Sequence, residues 1–342
     1  MKKSFLIRYI AVSLCLLIAF SLPLNAFADH WEADDYSVTL FFDHEGEPIR
    51  NAHFRLYLIA ENYEDAQARN FLGDFSKYNN VTVENPLETD GLMSLASTLS
   101  AYAARDGIVP DEQGDTDDKG TLKFKRLEGG VYLIDGGSTI QGDEVYNPQP
   151  FIAFLPAVID EEECNRVNAD VKYEFIANAY LVSLERSVVK VWDDGGENNP
   201  YRPKEIIAQL LMDGTIYEEV SLNAENNWRY SWKGLNPLHM WQVVEKIVPD
   251  DYSVSVVREG DTFILTNKYE NEIPEGGWPT TEPDTTTPGG ETTTSPDDKK
   301  PGSTLPNTGM LWWPVPVLVS SGFTLFGVGF IKRKRVEDEE EA

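Results

Sequence analysis

The chain has 342 residues, enough for two or three domains, and its 57 acidic against 29 basic side chains give a formal net charge of −28. Such a negative surface repels phosphate backbones and anionic lipid, which argues against nucleic acid as a partner. Its two cysteines are Cys15, in an N-terminal segment with the features of a removable leader, and Cys164. A mature chain with one thiol cannot form an internal disulfide, so stability outside the cell needs a large core or another cross-link.

Residues 1–28 have the three parts of a secretory signal peptide. A basic start precedes an apolar run over 10–24, and Ala26–Ala28 forms a small-x-small cleavage site. Cys15 raises the alternative of a lipoprotein, but Leu14 stands where a small residue is needed and the apolar run continues beyond it. A membrane anchor is disfavoured because the run is short and ends in a cleavage site. The sequence therefore predicts an exported protein.

Residues 29–181 are predicted to form an N-terminal β domain with a helix inserted over 86–106, where Leu92, Leu95, Leu99 and Tyr102 recur at helical spacing. Alternating apolar and polar residues predict strands over the following ranges: Tyr36–Phe42, His53–Ile59, Thr121–Leu127, Gly130–Ile134, Phe151–Phe154 and Lys172–Ala177.

The stretches from Phe124 to Ile134 and from Gln149 to Pro156 resemble the N-terminal domains of Gram-positive pilin subunits. In shaft subunits of that family, a Tyr-Pro-Lys-like motif near the end of the domain supplies the lysine to which the next subunit is joined. Here the corresponding stretch Tyr173–Asn178 has no Pro-Lys, and the first strand also lacks a lysine for an internal cross-link. The resemblance therefore implies a terminal, wall-anchoring or stand-alone protein rather than a polymerising shaft subunit.

The acidic stretch Asp111–Gly120 faintly resembles a calcium loop, but Arg126 stands where an EF-hand needs its final acid. A solvated turn is the preferred interpretation. The four histidines do not have metal-ligand spacing, and no nucleophile elbow or phosphate loop is present. The sequence predicts no metal, no cofactor and no turnover catalysis.

Residues 182–270 are predicted to form a second β domain, because short alternating segments are separated by turns at a spacing typical of a β-sandwich. The predicted strands are Val188–Trp192, Ile206–Met212, Tyr217–Leu222, Trp228–Trp232, Trp241–Ile247, Tyr252–Val257 and Phe263–Tyr269.

Val188–Asp194, Arg202-Pro203, Leu210–Gly214, Asn227-Trp228 and Thr266-Asn267 resemble the Cna B-type domain, an immunoglobulin-like β-sandwich of pilins and adhesin stalks. The resemblance implies a spontaneous isopeptide bond between Lys190 and Asn267, promoted by Glu245.

Alternation independently places these three polar groups on apolar strand faces, where they are costly unless they satisfy one another. Glu245 shares its predicted face with Trp241, Val243 and Ile247. The alternative is an ordinary ion pair between Lys190 and Glu245, with Asn267 only a turn residue.

Residues 271–304 are rich in Pro, Thr, Gly and acidic residues, and they lack apolar periodicity. This composition predicts an extended, wall-spanning linker. At about 3.1 Å per residue in a polyproline-like state, it would reach roughly 100 Å.

The C-terminal region has three features in a fixed order. A motif at 305–309 is followed by the uncharged segment Met310–Ile331, about 33 Å long as a helix and therefore able to span a bilayer. The charged tail 332–342 begins with four basic residues that hold this end in the cytoplasm. The motif consists of Leu305, Pro306, Asn307, Thr308 and Gly309.

This arrangement resembles the LPXTG sorting signal of sortase substrates. The resemblance implies that a sortase cysteine attacks the carbonyl of Thr308 and expels Gly309. An amine of peptidoglycan or of a pilin then takes the acyl group. A permanent single-span protein would explain the helix but not the motif.

Together these features predict a structural protein anchored to the cell wall of a Gram-positive bacterium, as a minor or anchoring pilus subunit or a stalked surface protein. The predicted fold is two immunoglobulin-like β-sandwich domains in tandem. Other pilus subunits are possible partners. The alternative function is an adhesin whose N-terminal domain binds a host protein or glycan.

Overall fold

The computed structural model describes residues 36–84, 88–159, 162–274 and 278. The predicted signal peptide, sorting motif, membrane helix and cytoplasmic tail lie outside these residues, as does most of the predicted linker. Within the described ranges, no helix is long and apolar enough to cross a membrane. Strands dominate there, which confirms the predicted mainly β fold.

The first half of the chain contains a helix α1 (Tyr63–Gln67), a 3₁₀ helix (Gly73–Tyr78) and a long helix α2 (Thr89–Asp106). Its strands are β1 (Tyr36–Phe41), β2 (Asp43–His44), β3 (Glu47–Pro48), β4 (His53–Ala60), β5 (Glu112–Asp115), β6 (Thr121–Leu127), β7 (Gly130–Gly136), β8 (Thr139–Gln141), β9 (Glu144–Pro148), β10 (Phe151–Leu155), β11 (Ala157–Ile159), β12 (Glu162–Cys164), β13 (Arg166–Asp170) and β14 (Tyr173–Ile176).

Two of the sheets in this half have the orders β13-β1-β6 and β10-β7-β4-β5, and a third has the order β14-β9-β8. Alternation explains the inward faces, since Val38 and Leu40 of β1 are fully buried in an apolar cluster with Phe54 and Leu56 of β4. The acidic stretch predicted as a solvated turn contains β5, which pairs with β4. Thr116, directly after β5, is buried and bonds main-chain groups of Ile49 and Ala52.

Helix α2 lies within the range predicted from apolar spacing. Leu95, Leu99 and Tyr102 are buried along one face, as residues three and four apart on a helix should be. The helix ends at Gly107, whose left-handed backbone (φ 63°) suits glycine and lets Ile108 donate to the carbonyl of Ala103 at 3.0 Å.

The second half contains β15 (Leu184–Asp193), β16 (Glu205–Met212), β17 (Thr215–Asn223), a 3₁₀ turn (Ala224–Asn226), β18 (Arg229–Leu235), β19 (Trp241–Glu245), β20 (Tyr252–Glu259) and β21 (Thr262–Tyr269). They form two sheets, of order β18-β15-β21-β20 and β17-β16-β19. β15 and β21 are parallel neighbours, whereas the other pairs are antiparallel. Ile247 departs from the predicted inward face and is 76 % exposed, because β19 ends at Glu245 and the alternation ends with it.

The two halves share part of their core, and all described residues lie in one compact unit. A single apolar cluster contains Tyr57, Leu95 and Leu99 from the first half together with Val243 and Leu265 from the second. Apolar packing therefore continues from one half into the other through α2.

Candidate functional site

Lys190 and Asn267 lie on neighbouring strands, and Glu245 faces them from the other sheet. In the parallel β15–β21 pair, Lys190 is opposite Leu265 and Trp192 is opposite Asn267. The two polar residues are therefore diagonal neighbours on the inward face of their sheet. Glu245 is the last residue of β19, a strand of the facing sheet. The structure thus brings together all three residues that the resemblance implies.

All three side chains are buried. The side chains of Lys190 and Glu245 are both 0 % exposed, and Asn267 is also fully buried. Charged groups are almost never fully buried unless they are paired, because loss of hydration costs several kcal/mol. Their placement therefore requires a specific arrangement of protons and hydrogen bonds.

The hydrogen bonds leave a particular set of atoms free. The Asn267 amide nitrogen donates to Glu245 Oε1 at 3.1 Å, while Lys190 Nζ lies 4.0 Å from Glu245 Oε2. The lysine nitrogen instead donates to the carbonyls of Val191 at 2.9 Å and Leu265 at 3.3 Å. Glu245 Oε2 and Asn267 Oδ1 have no hydrogen-bond partner. A proton on Glu245 would convert one of these two buried acceptors into a donor.

Burial brings the pKa values of Lys190 and Glu245 closer together. It lowers the pKa of Lys190 to about 7, against the opposing attraction of Glu245. It raises the pKa of Glu245 to about 7, against the opposing effects of Lys190 and of the Asn267 hydrogen bond. A neutral amine and a protonated acid are therefore both accessible near neutral pH.

Aromatic side chains form one wall of the site. Lys190 Nζ lies 4.1 Å from the centroid of the Trp192 ring. That ring makes edge contacts with Trp228 and Tyr252, at centroid separations of 5.2 and 5.4 Å. Large apolar rings at these distances exclude water from the lysine and maintain the shift of its pKa.

A second polar cluster at the end of β15 was not anticipated from the sequence. The buried Asp194 carboxylate accepts bonds from Arg202 at 2.8 and 2.5 Å and from the Tyr252 hydroxyl at 3.1 Å. Trp278, inside the predicted linker, donates to the Asp194 carbonyl at 2.7 Å and packs near Tyr201 and Tyr269. Packing thus extends beyond residue 270, and Trp278, the one tryptophan in that segment, was the available sequence signal.

The structure also shows contacts between the halves that the sequence did not predict. Glu174 of β14 accepts from Arg186 at 2.6 Å and from Arg258 at 2.8 Å. Tyr102 of α2 donates to the main-chain carbonyl of Glu245 at 3.0 Å. Glu174 is 84 residues from Arg258 and Tyr102 is 143 residues from Glu245, and neither alternation nor motif spacing indicates such pairs.

The fold and the buried site define the second half as a two-sheet β-sandwich domain with an internal lysine, acid and amide. Residues 186–268 match the family model of the Cna protein B-type domain. The chain is also similar to the collagen adhesin of Staphylococcus aureus, with 28 % identity over 103 residues. That match covers 30 % of this chain and only 9 % of the adhesin.

Two solved structures are similar over a larger share of the chain. A single B repeat unit of the collagen-binding surface protein of Staphylococcus aureus matches at 17 % identity and a TM-score of 0.25, covering 69 % of this chain and 97 % of its own. The shaft pilin SpaA of Lactobacillus rhamnosus GG matches at 13 % identity and a TM-score of 0.23, covering 70 % and 99 %. At TM-scores this low, we draw no functional conclusion from these two structures.

Proposed function

We propose that this chain is a structural protein of the Gram-positive cell surface whose second domain is locked by an isopeptide bond between Lys190 and Asn267. The observation that carries the proposal is the buried amine and acid, each with a pKa moved to about 7, beside a buried amide. The match to the Cna protein B-type domain supports the same assignment.

The geometry favours a neutral pair over an ordinary ion pair. A hydrogen-bonded ammonium and carboxylate lie about 2.7–2.9 Å apart, whereas Lys190 Nζ and Glu245 Oε2 are 4.0 Å apart. A neutral amine has two N–H groups and one lone pair. The carbonyls of Val191 and Leu265 accept the two N–H groups, which leaves the lone pair available.

The proposed reaction joins the two side chains and releases ammonia. The lone pair of Lys190 Nζ attacks Cγ of Asn267, the new C–N bond forms, and the bond from Cγ to Nδ2 breaks. Glu245, already hydrogen-bonded to Nδ2, gives a proton to the departing nitrogen and takes one from Nζ. Its protonation state is the same before and after, so it acts as a promoting acid and base.

Attachment to the wall is the second part of the proposal. The sorting motif Leu305–Gly309, the apolar segment after it and the basic stop support sortase cleavage between Thr308 and Gly309. Wall-released protein is expected to end at Thr308 in amide linkage to an amine of peptidoglycan or of a pilin. Mass spectrometry that detected residues 310–331 in the mature surface form would contradict this part.

Intact mass tests the cross-link. A chain spanning 29–304, which contains every described residue, should weigh one ammonia less than its sequence, and digestion should yield a joined peptide pair containing Lys190 and Asn267. Lys190→Met and Glu245→Ala should each restore the full mass. Lys246→Met is the matched control, because Lys246 is an exposed neighbour paired with Glu219, and it should keep the deficit. A folded wild-type chain at full sequence mass would remove the proposed bond.

A further inference from the structure

The second-domain sandwich has an open side that its own strands do not close. Among the strands of the described residues, β19 pairs with β16 alone and β20 with β21 alone, so each is the last strand at one edge of its sheet. Helix α2 of the first domain packs against both strands. An edge strand presents unpaired main-chain groups, and a buried edge needs partners for them.

Side chains of α2 satisfy main-chain groups on both edges. Thr98 Oγ1 accepts from the Val256 N–H of β20 at 2.9 Å, and the Tyr102 hydroxyl donates to the Glu245 carbonyl of β19 at 3.0 Å. Both α2 side chains are buried. The helix therefore bridges the two sheets of a domain to which it does not belong in sequence.

A second first-domain segment extends one of these sheets. Val254 of β20 donates to the carbonyl of Asn80 at 2.8 Å, and its own carbonyl accepts from Thr82 at 2.7 Å. The resulting bridge between Val81 and Val254 is parallel, and the Thr82 and Ser253 hydroxyls are 2.9 Å apart. The edge of β20 is thus covered over 80–82 as well as by α2.

The contact between α2 and β19 extends to the proposed cross-link site. Glu245 is the last residue of β19, and exposed Ile247 follows two residues later, so the promoting acid lies where its strand leaves the sandwich. The main-chain N–H of Lys246 donates to the Ile207 carbonyl of β16 at 2.9 Å. From the opposite side, the Tyr102 hydroxyl of α2 donates to the Glu245 carbonyl. Without α2, water would reach this end of β19 and stabilise the charged forms of the acid and the lysine.

We propose that helix α2 is a required wall of the cross-link site and that Tyr102 is a positioning residue for Glu245, so that the bond forms only after the first domain has docked. This inference rests on the proposed cross-link, and it adds that packing of α2 controls when the cross-link forms. The bond would then form inside the second domain only when α2 covers that domain, and not in an isolated sandwich.

Two conservative changes each remove one hydrogen bond from α2 to an edge strand. In the chain spanning 29–304, Tyr102→Phe deletes the hydroxyl that bonds Glu245, and Thr98→Val deletes the acceptor of the Val256 N–H. The matched controls are Tyr132→Phe and Thr116→Val. Tyr132 and Thr116 are similarly buried, and their hydroxyls bond only first-domain groups outside α2.

The rate of ammonia loss is the measurement. Chains made by brief cell-free synthesis are quenched in denaturant at intervals and weighed, while near-ultraviolet circular dichroism reports folding. We expect Tyr102→Phe combined with Thr98→Val to slow cross-linking by about tenfold or more, which is the effect of a modest rise in barrier. The paired controls should match the wild type.

A pH profile separates positioning from general loosening. Glu245 is faced by Lys190 and Asn267, and Lys190 in turn by Asp194 and Arg202. If Tyr102→Phe admits water to Glu245, the pKa of Glu245 falls and the alkaline limb of the rate profile moves to lower pH, whereas Tyr132→Phe leaves it in place. The inference would be overturned if the folded double variant lost ammonia at the same rate as the wild type and had the same pH profile. A wild-type chain that never loses ammonia would instead overturn the proposed cross-link.

Discussion

The contact at Glu174 between the two halves of the described chain gives the sharpest stability prediction. Its carboxylate accepts from Arg186 at 2.6 Å, from Arg258 at 2.8 Å and from the Asn147 amide at 3.2 Å. The Arg186 side chain is only 1 % exposed. In Glu174→Ala, both arginines lose this partner, and Arg186 keeps only Asp261 as an ionic partner among the described residues.

The magnitude follows from burial. Removing one partner of a buried ion pair costs about 3–5 kcal/mol, because the other charge stays buried. Arg186 keeps Asp261 and Arg258 is 26 % exposed, so we expect the lower end, about 3 kcal/mol. For a folded body of this size, about 2–4 °C per kcal/mol gives a fall of about 6–12 °C in Tm.

Scanning calorimetry of the 29–304 chain measures this difference. The matched control is Glu185→Ala on β15, the next strand along the chain, because Glu185 and its partner Lys233 are 55 % and 75 % exposed and such surface pairs contribute little. A Tm for Glu174→Ala that equals the Tm for Glu185→Ala would refute the reasoning. Burial raises the pKa of Glu174, but Arg258 and Arg186 outweigh it and leave the pKa below its ordinary value. The contribution of Glu174 to the free energy of unfolding should therefore be fully present at pH values above its ordinary pKa. It should disappear as the pH falls through the lowered pKa of the folded state.

Three further predictions concern the cross-link and assembly. Because the reaction needs a neutral Lys190 and a protonated Glu245, its rate should peak near pH 7 and fall about tenfold per pH unit in acid as the amine protonates, and likewise in alkali as the acid ionises; a flat profile in pulse-quench mass spectrometry would contradict this mechanism. Under force, wild-type chains should not release the loop between Lys190 and Asn267, whereas Lys190→Met should release roughly 270 Å at about 3.5 Å per residue, and equal single-molecule extensions would exclude the bond. Wall extracts should contain no fibre that is a homopolymer of this chain, because Tyr173–Asn178 lacks an acceptor lysine, and linkage through any first-domain lysine would show otherwise.

Alternation and helical spacing predicted the elements whose burial follows a single period. β6 has the predicted bounds, β15 begins four residues earlier and ends one residue later than predicted, and β21 begins one residue earlier. The short strands β8, β9 and β11 to β13 were not predicted, because segments of three to five residues carry too little periodicity. β5 was missed for another reason. Its residues are polar and mostly exposed, and pairing with β4 rather than burial makes it a strand.

The difference between what sequence periodicity reveals and what packing decides also applies within the site. Lys190, Glu245 and Asn267 could be placed from sequence because each interrupts an apolar strand face, and a polar residue there is conspicuous. Tyr102 gave no such signal, since a tyrosine at helical spacing with leucines is an ordinary core residue. Its role depends on which edge strand the helix covers, which is a property of the packed fold.

The position of the proposed bond decides what it does under load. The chain enters the second domain through β15 and leaves through β21, which runs parallel to β15 and beside it. Tension between the first domain and the linker would pass through these two strands, and a bond from Lys190 to Asn267 would carry it across the domain. The chain between those residues would then bear none of it. The part that would remain under load is the contact between the two halves, where Glu174 holds Arg186 and Arg258 and α2 covers the sandwich beside Glu245. The proposed covalent link within the sandwich and the ionic contact between the halves would therefore be complementary, because each would resist separation where the other has no bond.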